Sequence, residues 1–188
     1  MTDPAPKMRR TDPERRDRIV YACLELIAEA GVAGTSHRKV AAKADVPLGS
    51  MTYHFDGMDE LLREAFTRFA DSVADGFDAR LEAAVTPAEA EAAVVALITE
   101  DVFSAPRDLV LTHELYTLAA REPRFRDITN AWMARSRKAL EKHFDPLTAS
   151  LLDALIEGLT IHRALDTEPP VDADVLEAVQ RITRPAHV

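Results

Sequence analysis

Helix start and stop signals punctuate this chain from one end to the other, while signals for strands are nearly absent. Thr11-Asp12-Pro13 offers a cap followed by proline in the first turn, where the missing N–H costs nothing. Ile19, Val20, Cys23, Leu26, Ile27 and Ala30 then share one helical face, and Gly31 supplies a left-handed stop. A short basic helix is expected over about 36–44, then a turn, then a second short helix around 48–53. Asp56 is placed to cap a long helix through Leu61, Leu62, Ala65, Phe66, Phe69, Val73 and Phe77. Thr86-Pro87-Ala88-Glu89 matches a capping box and opens a helix reaching about Phe103. Pro106 opens the next, which stops before Pro123, and another is expected over about 124–144. Asp145-Pro146 repeats the cap-plus-proline start for a helix to about Leu165. Pro169-Pro170 then breaks the chain, and Asp172 is expected to cap a last helix to about Thr183. Nine helices with short connections make this an all-α protein.

The 188 residues fit one domain plus a small appendage, at a prior of about 150 residues per domain. The longest apolar run, Ala92 to Ile98, has seven residues, far short of the roughly 20 that span a bilayer. Lys7, Arg9 and Arg10 have no apolar stretch behind them, so the N-terminus does not read as a secretory signal. The single cysteine, Cys23, excludes an internal disulfide framework, and a reducing cytoplasm is expected. Its helical spacing with Ile19 and Ile27 marks it as a small buried filler.

Charge divides the chain. The net value is -9, yet residues 1–55 hold 9 Lys/Arg against 7 Asp/Glu, net +2. Residues 56–188 hold 14 against 25, net -11. An acidic body behind a weakly basic head argues against indiscriminate coating of nucleic acid, whose nonspecific binding is mostly phosphate electrostatics. It leaves room for a local nucleic-acid surface.

That surface is sought in residues 35–55. Val40, Ala41, Ala44, Val46 and Met51 give two short helices a small apolar inner face, and Ala41 lets them cross closely. The outer face carries Ser36, His37, Arg38, Lys39, Lys43, Ser50, Thr52, Tyr53 and His54, all hydrogen-bonding and none acidic. Asp45, in the turn, is the only acid of the stretch. A helix-turn-helix lying against phosphates and base edges has this composition.

The order of helix, basic helix, turn and short helix ending in Tyr53-His54-Phe55, followed by Asp59-Glu60-Leu61-Leu62, resembles the TetR family of repressors. Ser36-His37-Arg38-Lys39-Val40-Ala41, Val46-Pro47-Leu48-Gly49-Ser50-Met51-Thr52-Tyr53, Glu114-Leu115-Tyr116, Trp132-Met133 and Ile156-Glu157-Gly158 are similar to RcdA-type regulators within it. The resemblance implies that Ser36 caps the second helix and bonds a phosphate, and that Arg38 reaches a phosphate or a guanine edge. It implies that Leu48, Ser50 and Thr52 face bases, with Leu48 against a thymine methyl, while Gly49 lets the backbone approach closely. Tyr53 and His54 match the family's phosphate-contacting aromatics, with half-buried packing the other role open to Tyr53; Phe55 reads as core. His37 and Lys39 complete the candidate DNA-binding set, with a merely solvated role also open to His37. Lys7, Arg9 and Arg10 read either as a minor-groove arm or as a tail without function. Two positions depart from the family: Asp45 stands where glycine is usual, and Met58 where lysine is. Asp tolerates a left-handed turn better than most residues, whereas losing the lysine removes a phosphate contact.

The resemblance divides the chain into an arm and helix-turn-helix unit, 1–56, and a helical effector-binding and dimerisation unit, 57–188. Phe103, Thr112, His113, Tyr116, Trp132, Met133, Arg137 and His162 are the candidate effector contacts, although an aromatic at helical spacing is as readily core. The penultimate helix is apolar on too many sides for a surface helix, leaving Thr148, Ser150, Asp153, Glu157 and Arg163 as its polar remainder. It is either buried in its own domain or covered by a partner subunit. The second reading is favoured and names Leu151, Leu152, Leu155, Ile156 and Leu159, with Val175 and Val179 of the final helix, as a dimer interface.

No catalytic, metal or cofactor constellation is legible. His-Glu-x-x-His, Gly-x-Gly-x-x-Gly and Gly-x-x-x-x-Gly-Lys are all absent. The expected function is therefore a homodimeric, ligand-responsive regulator on a double-stranded palindromic operator, most simply a repressor, with an unidentified small-molecule effector and no membrane partner. A helical enzyme or carrier, or an adaptor without DNA binding, are the rival readings.

Overall fold

A computed structural model describes residues 14–103, 105–168 and 171–184. Among them the fold is all-α, with nine α-helices and no strand: α1 (Arg15–Ala30), α2 (His37–Lys43), α3 (Gly49–His54), α4 (Met58–Glu82), α5 (Pro87–Ala96), α6 (Pro106–Arg121), α7 (Arg126–Leu140), α8 (Pro146–Leu165) and α9 (Asp172–Thr183). The expected cap at Thr11-Asp12-Pro13, the arm residues Lys7, Arg9 and Arg10, and Pro169-Pro170 lie outside the described residues.

Local chemistry explains most of the helix ends. Gly31 closes α1 at φ +70°, its N–H donating to the Ile27 carbonyl at 2.8 Å. Thr86 and Glu89 form the reciprocal capping box of α5, and the Asp145 carboxylate accepts from Leu147 and Thr148 N–H groups at 3.1 and 3.2 Å. Two expected caps are displaced. Gly57, at φ +103°, occupies the cap of α4, and the Glu60 carboxylate reaches back to the Asp56 N–H. Asp172 is instead the first residue of α9, after Val171, where its charge still favours the helix N-terminus. The helix expected to reach Phe103 widens after Ala96 into a π-helical turn, Leu97–Asp101, closed by Val102 N–H on the Leu97 carbonyl at 3.0 Å. Phe103 follows at φ +57°. The helix expected over about 124–144 is shorter at both ends: Pro123 opens a 3₁₀ turn before Arg126, and after Leu140 the chain goes into turns closed by Lys142 N–H on the Ala139 carbonyl and His143 N–H on the Leu140 carbonyl.

Two buried clusters make the core, and α4 runs through both. Its first half packs with α1, α2, α3 and α6 around Ile19, Val40, Met51, Phe55 and Phe66. Its second half packs with α5, α7, α8 and α9 around Leu81, Leu97, Leu140 and Leu152. Cys23 is fully enclosed, and burial pushes its thiol up to about 12, so it carries no thiolate at neutral pH. No helix among the described residues is long and apolar enough to cross a membrane.

The expected dimer face needs correction. Leu152, Ile156, Val175 and Val179 are core residues of this chain, buried where α8 and α9 meet. Leu155 and Leu159 are half-buried at the margin of that core. Leu151 remains exposed at 48%, beside Leu147 at 69%, with Leu165 and Leu176 also exposed. An apolar helix divides its sides between its own core and the outside, and on α8 the outward stripe is Leu147 and Leu151.

Candidate nucleic-acid interface and cavity

The short helices α2 and α3 are set by the turn between them. Asp45 takes the left-handed conformation, φ 52°, and Val46 N–H donates to the Ala41 carbonyl at 3.0 Å. Ser36 caps α2 by accepting from Lys39 N–H at 3.5 Å. Val40, Ala41, Met51 and Phe55 are buried, so the two helices present their other sides outward.

Ser36, Arg38, Lys39, Leu48, Gly49, Thr52 and Tyr53 are exposed on that outward surface. Tyr53, 83% exposed, does not pack inward. A side chain at Gly49 would meet nothing of this protein, so the backbone there is open to a close partner. His54 is half-buried, its ring 4.9 Å from that of Tyr53, and its carbonyl accepts from Arg16 at 3.0 Å. Burial first, then the charges of Arg15 and Arg16, hold its imidazole below the ordinary histidine range. His37 is half-buried over a small cleft with Leu48, Met51, Thr52 and Met58, its Nε2 buried without a hydrogen-bond partner.

Ser50 is the exception among the base-facing set. It is 7% exposed and packs inward beside Met51. Leu48, Ser50 and Thr52 alternate, which shares a face on a strand; at about 100° per residue on a helix, position 50 turns away from 48 and 52. Basic side chains on the surface differ as well. Lys43 is held by Glu29 at 2.8 Å and Glu25 at 3.4 Å, whereas Arg38 makes no ion pair among the described residues. Lys39 donates to the Gly34 carbonyl at 2.6 Å.

The helix pair α2–α3 is tied to α4 through α1. Arg16 of α1 forks onto Glu64 of α4 and lies 4.6 Å over the Phe55 ring. Arg68 of α4 bridges Asp17 at 2.6 Å and Glu64 at 2.5 Å.

Behind this junction lies a cavity of about 380 Å³. Its walls come from α1 (Tyr21, Leu24), α4 (Phe69, Ser72, Val73), the π-helical turn and its sequel (Asp101, Phe103), α6 (Thr112, Tyr116), α7 (Trp132, Met133) and α8 (Asp153, Glu157). Of the expected effector contacts, Phe103, Thr112, Tyr116, Trp132 and Met133 line it. The other three are corrected. His113 stands behind the wall, its Nδ1 2.8 Å from the Leu109 carbonyl and its ring 6.4 Å from that of Phe103. Arg137 lies outside the lining but donates to Asp153 at 3.4 Å. His162 is exposed near the end of α8, away from the cavity.

Sequence reasoning missed the contributions of α1, α4 and α8. The last had a signal: Asp153 and Glu157 stand one turn apart among the few polar residues of a mostly apolar helix. Burial, partly opposed by Arg137, pushes the Asp153 carboxyl up to about 6. Burial, and then the Glu157 carboxylate, push the Tyr116 hydroxyl well above the ordinary tyrosine range. The Trp132 ring lies 6.3 Å from that of Tyr116, tilted by 46°, and meets Phe69 edge-on at 5.9 Å. Thr112 Oγ1 is buried with no hydrogen-bond partner. No group of three His, Cys, Asp or Glu among the described residues is placed to hold a metal ion.

Residues 19–65 match the family described as bacterial regulatory proteins, tetR family, and residues 85–185 match the tetracyclin repressor-like C-terminal domain. The crystal structure of SCO7518 from Streptomyces coelicolor A3(2) is 59% identical, with a TM-score of 0.88, over 92% of this chain and 100% of that one. The multidrug binding protein EbrR, crystallised with imidazole, is 34% identical with a TM-score of 0.79 over 100% of both chains. The HTH-type transcriptional repressor KstR2 of Rhodococcus jostii (strain RHA1) is 31% identical over 133 residues, 63% of this chain and 62% of that protein, so the match spans less than two thirds of its length.

Proposed function

The chain belongs to the TetR family of bacterial transcriptional regulators, and on that premise we propose that it is a homodimeric, ligand-responsive repressor. Its outward α2 and α3 surface reads a palindromic operator, with Arg38, Leu48, Thr52 and Tyr53 as the principal contacts and Ser36, His37, Lys39, Gly49 and His54 beside them. The exposed α8 stripe of Leu147 and Leu151 joins two copies. Residues 1–56 form the reading unit and 57–188 the body, with α4 rooted in the body and supporting the reading unit. The phrases around Ser36 and Val46 support a place near the RcdA-type branch. The protein works in the bacterial cytoplasm, on the nucleoid when bound.

One observation carries the reading: the cavity wall includes Tyr21 and Leu24 of α1 and Phe69 of α4, the two helices on which α2 and α3 are mounted. A molecule that fills the cavity better in one arrangement of those helices shifts the separation of the two reading units. EbrR, a multidrug binding protein of the same architecture, supports a small-molecule effector here.

The test is salt-titrated anisotropy on duplex DNA taken from beside the protein's own gene. Wild-type protein is expected to bind one segment specifically, and Arg38→Ala and Thr52→Ala to lose that preference. Specific binding untouched by both substitutions would overturn the assignment of the surface. Absence of any DNA binding would favour a carrier.

A further inference from the structure

Resting on the reading of the cavity as the effector site, we propose that its ligand is an organic cation with an aromatic body, recognised by Asp153 and Glu157 of α8. These two carboxylates are four residues apart, on one face of the helix, and both line the cavity. The other charges of the wall are matched by protein groups. Arg68 is taken by Asp17 and Glu64, Asp101 is forked by Arg80 at 2.6 and 2.7 Å, and Arg107 lies 3.7 Å from Asp108. Arg137 pairs with Asp153 at 3.4 Å, while Glu157 meets the neutral Tyr116 hydroxyl, which donates to it, and forms no ion pair among the described residues. One negative charge is therefore left without a protein counter-ion in a cavity with mainly apolar walls.

The ligand's own charge resolves that imbalance. A neutral ligand returns at most hydrogen bonds, and no charge, for the water it strips from the carboxylates, and an anion would add repulsion. The aromatic group of Trp132, Tyr116 and Phe69 offers ring faces whose quadrupoles favour the same sign of charge and whose area suits a flat ring system. Thr112 Oγ1, buried and unpartnered, supplies one further hydrogen bond to a polar substituent.

Equilibrium dialysis of the full-length protein against three probes of one shape tests this: 1-methylquinolinium, 1-methylnaphthalene and 1-naphthoate. The cation should be held about tenfold or more tighter than the neutral isostere, with the anion weakest. The double variant Asp153→Asn/Glu157→Gln, which changes charge and keeps shape, should bring cation and neutral probe close to parity. Glu157→Gln alone should fall between, and thermal melts monitored by circular dichroism verify that each variant is folded. Equal retention of the neutral or anionic probe, or a preference unchanged in the double variant, overturns the cation class and leaves the cavity as an effector site of another kind. Retention of none of the three removes the effector reading and this proposal with it.

Discussion

Glu114 of α6 accepts a hydrogen bond from the backbone N–H of Val32 at 2.9 Å, joining the body of the protein to the end of α1. Gly31 makes the approach feasible, since a side chain there would stand 2.7 Å from Glu114 Oε1. Thr112 and Tyr116, two residues either side of Glu114, line the cavity on the same helix. A ligand that displaces α6 therefore pulls directly on the reading unit through this bond, as well as through α4.

Removing the acceptor should weaken that coupling. Glu114→Ala leaves the Val32 N–H without its partner, a loss of about 1 kcal/mol in stability by urea denaturation. The ratio of operator affinities with and without effector should fall toward one. An unchanged ratio would place the coupling in α4 alone.

Gly31 and Gly49 of the reading unit should respond oppositely. Gly31→Ala meets both a φ of +70° and the Glu114 carboxylate, and should destabilise by about 1 kcal/mol or more. Gly49→Ala meets nothing within 4 Å and should leave the melting temperature equal or slightly higher, while lowering DNA affinity. Equal DNA affinity for Gly49→Ala would mean that no partner approaches that backbone.

Salt dependence separates the basic residues. Arg38→Ala should reduce the slope of log affinity against log salt by about one phosphate's worth. Lys43→Ala should change it little, because Glu25 and Glu29 already neutralise that ammonium and raise its pKa. Equal effects of the two would show that the α1 carboxylates let go of Lys43 on DNA.

Substitutions on α8 should split by side. Leu151→Glu places a charge on the exposed stripe and should give a folded monomer in sedimentation. Leu152→Glu buries a charge in the core and should abolish cooperative folding. A folded dimer from Leu151→Glu would move the interface off this stripe.

The buried aspartate predicts a pH dependence with a definite sign. Asp153 faces Arg137 from α7 and Tyr116 from α6, with Glu157 on its own helix, and burial lifts its carboxyl to about 6. In the ligand-free protein the raised value favours folding with the proton on, a contribution lost as pH rises through about 6. A bound cation favours the ionised form, so 1-methylquinolinium affinity should rise between about pH 5 and pH 7. The rise should vanish in Asp153→Asn; an equal rise there would assign it to another group.

Where structure follows from neighbours along the chain, the sequence was readable. Gly31, Thr86 and Asp145 end or begin their helices by local hydrogen bonds, and the left-handed Asp45 follows from its side chain's tolerance of that conformation. Ser50, placed toward bases by the resemblance, turns inward instead, because a helix turns about 100° per residue and position 50 falls opposite 48 and 52. The division of α8 into Leu152 inside and Leu151 outside depends on where α9 and α5 pack, which no local pattern records. The cavity was half legible for the same reason. Tyr116 and Trp132 stood out by type, but Phe69 read as ordinary core, and nothing marked Tyr21 or Leu24, until α1 and α4 were set against α6, α7 and α8.

Operator reading is tested most directly by enriching bound sequences from a pool of randomised duplex DNA with the full-length protein. The expected product is an inverted repeat whose half-site centres lie one helical turn apart, roughly 34–36 Å, or a multiple of it. Arg38→Ala should fail to enrich it. A pool that stays random, or one enriched equally by Arg38→Ala, would contradict DNA reading by α2 and α3.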